Sequence, residues 1–186
     1  MKSLFVMGLA ALMAAMPQAT TTPAPEPEPS DRERVLAVAS GEVGVREKTG
    51  RNDGEVDKYL RAVDLGGSRA PYCAAFVYWI GEEALGSENP YPKSAWSPDF
   101  VRGGQRVTAD TRPRGGEAFG IWFKNKGRIA HTGIVERRSG DYLITIEGNT
   151  SSAASVGSAA DREGHGVYRK RRHWRTVYST RDWIGG

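Results

Sequence analysis

The sequence holds a single cysteine, Cys73, in 186 residues. One cysteine cannot close a disulfide within the chain, so the core must hold the fold without that staple. Histidine is scarce too: only His131, His165 and His173 occur. No C-x-x-C or H-x-x-x-H pair is present, which argues against a zinc centre, and no metal or cofactor is expected. The apolar run at residues 4–16 falls short of the ~20 residues that a membrane-spanning helix needs. No cysteine lies near that run, which excludes lipid anchoring through one.

What is present divides the chain into three parts. "MKSLFVMGLAALMAAMPQA", residues 1–19, has a basic start at Lys2, an apolar stretch without a polar face, and small residues after it. That pattern reads as a secretory signal peptide, with cleavage after Ala19 or nearer Ala15. "TTTPAPEPEPS", residues 20–30, alternates proline with other residues and reads as an extended linker. Residues 31–186 then form one domain, with 39% hydrophobic and 26% charged residues in the chain as a whole. Export, to the periplasm or the cell wall, is the expected localisation. No stable membrane insertion is expected after the signal is removed, and the domain is expected to be a monomer.

The formal net charge is +4, and "RKRR" at 169–172 concentrates part of it. Such a run suits a polyanionic partner or a solvated strand face. A nucleic-acid partner fits poorly with export and is not expected. An anionic cell wall fits better.

An unpaired cysteine in an exported chain is a buried passive thiol, an intermolecular bridge or a reactive nucleophile. Its position favours the last. From Cys73 the apolar residues Phe76, Val77, Ile80 and Ala84 recur at i+3, i+4, i+7 and i+11, one face of a helix. Pro71 suits its start and Gly86 its stop. Cys73 therefore falls in the first turn, where unpaired N–H groups and the helix dipole favour a thiolate.

A cysteine nucleophile needs a base and something to orient it. "RIAHTGIVERRSGDYLITIEGNT", residues 128–150, reads as a hairpin turning at "SGD". A turn centred near Ser139–Gly140 places Glu147 opposite residues 131–132, with Asn149 two residues on. Either side chain can fix the His131 tautomer while the other ring nitrogen faces the thiol. Glu147 is the expected direct partner because its charge would stabilise an imidazolium.

"PYCAAFVYWIGEEALG", "AHTGIVE" and "TIEGNT", in this order, resemble the cysteine, histidine-dependent amidohydrolase/peptidase (CHAP) domains of the wider papain-like and NlpC/P60 class. The resemblance covers most of the chain, from "SGEVGVREKTGRND" to "GHGVYRK". One departure is "RGGEAFGIWF", where Glu117 stands at the acidic position that members fill with Gly-Asp. The resemblance implies Cys73 as nucleophile, His131 as base, and Glu147 and Asn149 as orienting residues. It also implies a papain-like fold and hydrolysis of peptidoglycan amides, as an N-acetylmuramoyl-L-alanine amidase or an endopeptidase. Rival readings are a non-catalytic wall-binding module on the same fold and a secreted toxin-like effector with the same chemistry.

The element order expected from periodicity is helices at about 31–43, 53–63 and from Cys73, then a loop-rich stretch 87–116. Strands follow near 118–124, 130–136, 141–147 and 166–172. Helices first and an antiparallel sheet after make an α+β domain. The Cys73 N–H and its neighbour Tyr72 are the expected oxyanion donors, and Trp96 in "YPKSAWSPDF" is the aromatic expected in a substrate groove.

Overall fold

A computed structural model describes residues 27–108, 111–151 and 164–185. The signal segment and most of the proline linker lie outside the described residues. Among these residues no helix is long and apolar enough to cross a membrane.

Among the described residues three helices precede the main sheet, as an α+β order requires: α1 (Asp31–Gly41), α2 (Asp57–Ala62) and α3 (Cys73–Leu85). Ser30 caps α1. Its hydroxyl accepts from the Glu33 N–H, and the Glu33 carboxylate accepts from the Ser30 N–H. This reciprocal box satisfies two donors that a helix start leaves orphaned. α3 ends where Gly86 takes a positive φ of 58°. Its buried residues include Cys73, Phe76, Val77 and Ile80, the stripe that the periodicity picks out, together with Leu85. Tyr59 of α2 meets Phe76 edge-on at 5.2 Å and stacks on Tyr72 at 5.6 Å. Full burial of each such ring contributes roughly 1.5–3 kcal/mol.

Six antiparallel strands form one sheet in the order β1-β6-β2-β3-β4-β5. They are β1 (Gln105–Val107), β2 (Ala118–Phe123), β3 (Arg128–Ser139), β4 (Tyr142–Thr150), β5 (Gly166–His173) and β6 (Ser179–Asp182). α3 packs on β3 and β4, which carry the candidate base and its partner. Two apolar clusters result. One joins the helices to Ala118, Ile134, Ile146 and Val167 of the sheet; the other gathers Phe119, Ile121, Phe123, Val135 and Leu143.

β1 lies within the stretch expected to be loop. It is three residues long, mostly exposed, and paired to β6 alone, so it has no hydrophobic alternation to announce it. The hairpin register also differs by a residue. β3 ends at Ser139 opposite Tyr142, so the turn is Gly140–Asp141, not Ser139–Gly140. One extra residue, Glu136, bulges from β3 between Val135 and Arg137, after which Ile134 pairs with Ile146. Glu147 therefore falls across from Gly133, not from residues 131–132.

Candidate active site

Cys73 opens α3 and its side chain is buried. Two observations explain how the strands come so close to it. A Cβ on Gly148 of β4 would stand 2.9 Å from the Phe76 Cβ and 3.3 Å from the Tyr72 ring. A Cβ on Gly133 of β3 would stand 2.8 Å from Glu147 Cγ. Both glycines are therefore sites of close approach, which any side chain would block. With Gly133 bare, the Glu147 side chain crosses over it and reaches back to His131. A second bulge inserts Ala130 into β3 next to His131, where Ile121 pairs with His131 and Trp122 with Ile129. Bulges re-aim neighbouring side chains.

His131 is fully buried, and its Nε2 lies 2.8 Å from Glu147 Oε2. Nε2–H donates to the carboxylate, which leaves Nδ1 for the thiol. In this resting geometry Nδ1 forms no hydrogen bond, although ring and thiol interact strongly enough to move each other's pKa. Such bonds are often loose before substrate arrives. Glu147 is hydrogen-bonded to His131; Asn149 is not. Asn149 is buried with φ +56°, a conformation that asparagine tolerates better than most side chains, at a register shift between β4 and β5. Its backbone carbonyl accepts from the Gly164 N–H.

The carboxylate of Glu147 has a further partner that sequence reasoning missed. Arg172 of β5 is 1% exposed. Its Nε donates to Glu147 Oε1 at 2.8 Å and its Nη2 to Oε2, a two-pronged bond. Thr145 Oγ1 donates to Oε1 as well. Arg172 ends "RKRR", and strand alternation splits that run between two faces. Lys170 and Arg172 point inward, with Lys170 donating to the Ser151 carbonyl at 2.8 Å. Arg169 pairs with Glu136, and Arg171 lies over the Tyr142 ring. The run is thus half solvated strand face, through Arg169 and Arg171, and half buried, and is no patch of four free cations.

Ser97 is the other residue that the sequence did not disclose. It lies in a 3-10 turn, Ser97–Val101, is 4% exposed, and places Oγ 3.4 Å from Cys73 Sγ. Trp96, just before it, is 44% exposed and lines a cleft with Cys73. Tyr72 turns its ring into the core, so only its backbone remains at the helix start. Glu117 is buried and accepts from the N–H groups of Arg114 and Gly115, which fixes the loop before β2. His165 is exposed on the loop before β5, and His173 accepts at Nδ1 from the Arg175 N–H; neither lines the cleft at Cys73.

The electrostatics follow from this wiring. Burial pushes the Cys73 thiol up, but the neighbouring His131 ring and its charge, with Ser97 and the Thr132 backbone, bring it below its ordinary value. Burial pushes His131 down, yet Cys73 and Glu147 together raise it to about 9. Burial also opposes the Glu147 charge, and Arg172 then His131 overcome this, holding the carboxyl well below the usual range. The three shifts all favour the same charge pattern: thiolate, imidazolium and carboxylate, backed by a guanidinium. Such a site can attack an electrophilic carbon and then deliver a proton.

No protein-family model matches the chain, and no curated protein matches it.

Proposed function

We propose that the protein is an exported cysteine hydrolase of papain-like type that cleaves amide bonds in bacterial peptidoglycan. The observation that carries this reading is the buried line Cys73, His131, Glu147, Arg172. A passive thiol needs no imidazole beside it, and a structural histidine needs no carboxylate braced by a buried arginine.

In the proposed reaction the Cys73 thiolate attacks the amide carbonyl carbon. The Cys73 N–H at the start of α3 stabilises the oxyanion, and the Ser97 hydroxyl is close enough to join it. His131 gives its proton to the leaving amine as the C–N bond breaks, which leaves an acyl thioester. Water then attacks the thioester with His131 as base, releasing the acid and restoring the thiol pair. Glu147 keeps the ring oriented and charged throughout, and Asn149 supports the β4 end beneath the nucleophile. The peptidoglycan substrate rests on the CHAP resemblance together with the leader-like N-terminus.

Purified cell walls provide the test. Wild-type protein should clear a wall suspension and release new amino or carboxyl ends, and thiol alkylation should stop it. A protein that binds walls without releasing any fragment would establish the binding-module reading instead. Mass analysis of the fragments separates an amidase from an endopeptidase.

A further inference from the structure

The cleft beside Cys73 encloses about 240 Å³. Ala70, Pro71, Ala95 and Ala130 give it small apolar walls, and Trp96 forms its aromatic side. Arg128 is its one lining residue with a permanent charge. The guanidinium carbon of Arg128 stands 4.0 Å from the centre of the Trp96 ring. One nitrogen, Nη1, donates to the Ile129 carbonyl at 2.8 Å. Among the described residues no carboxylate pairs with Arg128, nor with Lys124 or Lys126 on the same exposed β2–β3 turn.

The cations of β5 are held differently. The arginines of β5 are engaged by Glu147, Glu136 and Tyr142. Arg128 is the cation that adjoins the nucleophile, and among the described residues no counter-charge holds it. Bracing on Trp96 limits the rotamers of Arg128, and its other N–H groups remain available to a planar anion in the cleft that Arg128 lines.

We infer that Arg128, braced on Trp96, binds a carboxylate in the cleft beside Cys73 and makes the protein selective for acyl peptides with a free carboxylate near the scissile amide. The inference rests on the amide-hydrolase reading for its substrate, but the anion site stands on its own geometry.

Two soluble muropeptides test it, one with free carboxylates and one with each carboxylate converted to a carboxamide. Wild-type kcat/KM should favour the first by about 10- to 100-fold, the range for a hydrogen bond to a charged group, and the advantage should shrink with salt. Arg128→Ala should abolish the preference, chiefly through KM. Arg128→Lys, which keeps the charge without the fork, should retain part of it. Equal wild-type rates on the two muropeptides, or an undiminished preference in Arg128→Ala, would overturn the inference while leaving the hydrolase intact. If neither muropeptide nor wall is cleaved, the hydrolase reading fails, and the site is then judged by the Trp96 indole resonance. A shift with N-acetylglutamate but not with N-acetylglutamine amide, which has no carboxylate, keeps the carboxylate site; no difference between them removes it.

Discussion

Glu147→Gln removes a charge on which two buried cations depend, so its consequences separate cleanly. Arg172 is 1% exposed and its Nε lies 2.8 Å from Glu147 Oε1. The variant strands that guanidinium in the interior. Breaking a buried pair from one side costs about 3–5 kcal/mol. For a chain of this size each kcal/mol lowers Tm by roughly 2–4 °C, so a drop of about 10 °C is expected. The chemistry responds separately. His131, raised to about 9, loses an anion 2.8 Å from Nε2. An opposite charge at such range supports the charged form by about one to three pH units. The alkaline limb of the kcat/KM profile, where the imidazolium loses its proton, should move down by about that much. Arg172→Met should destabilise comparably but move the limb the other way, because Glu147 then answers to His131 alone. The double variant removes both charges, and apolar replacement of a buried pair is often neutral or stabilising. Its Tm should return towards wild type while its rate does not. Thermal melts and pH–rate profiles of the four proteins decide the matter. A limb that moves down in Arg172→Met, or a double variant that regains full rate, would refute the assignment of Glu147 to the imidazole.

Cys73→Ser should keep the fold and abolish wall hydrolysis, since a helix terminus does not ionise a hydroxyl as it does a thiol; near wild-type clearing by the variant would sink the mechanism. His131→Ala should lower turnover by orders of magnitude and His173→Ala by little, and equal losses in the same assay would mean that the base is misassigned. Gly133→Ala should displace the Glu147 carboxylate, whose Cγ a new Cβ would meet at 2.8 Å; a crystal structure of the variant with the His131–Glu147 bond intact would contradict this. Glu147 is held below its ordinary carboxylate value, so its contribution to stability is full above that ordinary value and fades as pH falls through the depressed one. Arg172→Met should accordingly shift acid unfolding to higher pH, as followed by circular dichroism.

The α+β order and the placement of Cys73 in a helix's first turn were legible because each leaves a strong periodic trace. The apolar stripe from Phe76 to Ile80 and the alternation in "IAHTGIVE" depend on burial against one partner surface. The partner of the base was harder to place. Its register depends on two bulges, at Ala130 and Glu136, and a bulge leaves no reliable trace in composition. Arg172 was hidden for a different reason. Four consecutive cations read as one charge run, whereas a strand deals successive residues to opposite faces. Alternation applied to "RKRR" separates Lys170 and Arg172 from Arg169 and Arg171, and an inward arginine demands a buried carboxylate. Ser97 had no such handle: its approach to Cys73 is set by a 3-10 turn 24 residues further along the chain.

The site's charges run Arg172, Glu147, His131, Cys73, and their carriers run β5, β4, β3, α3. Sheet order β3-β4-β5 and the seat of α3 on β3 and β4 put these four carriers in sequence. Signs alternate along the line when the thiol is ionised: plus, minus, plus, minus. Each buried charge is then offset by its neighbours, which is the condition under which an ionised group persists in an apolar interior. Taken singly, the Cys73 thiolate would be expelled by desolvation, and the His131 imidazolium likewise. Taken as a line, each one's cost is met by the next, and the guanidinium, which does not lose its proton, anchors the far end. On the proposed reading, the thiolate at the cleft is therefore favoured by a residue three elements away, Arg172, which is buried and does not line the cleft.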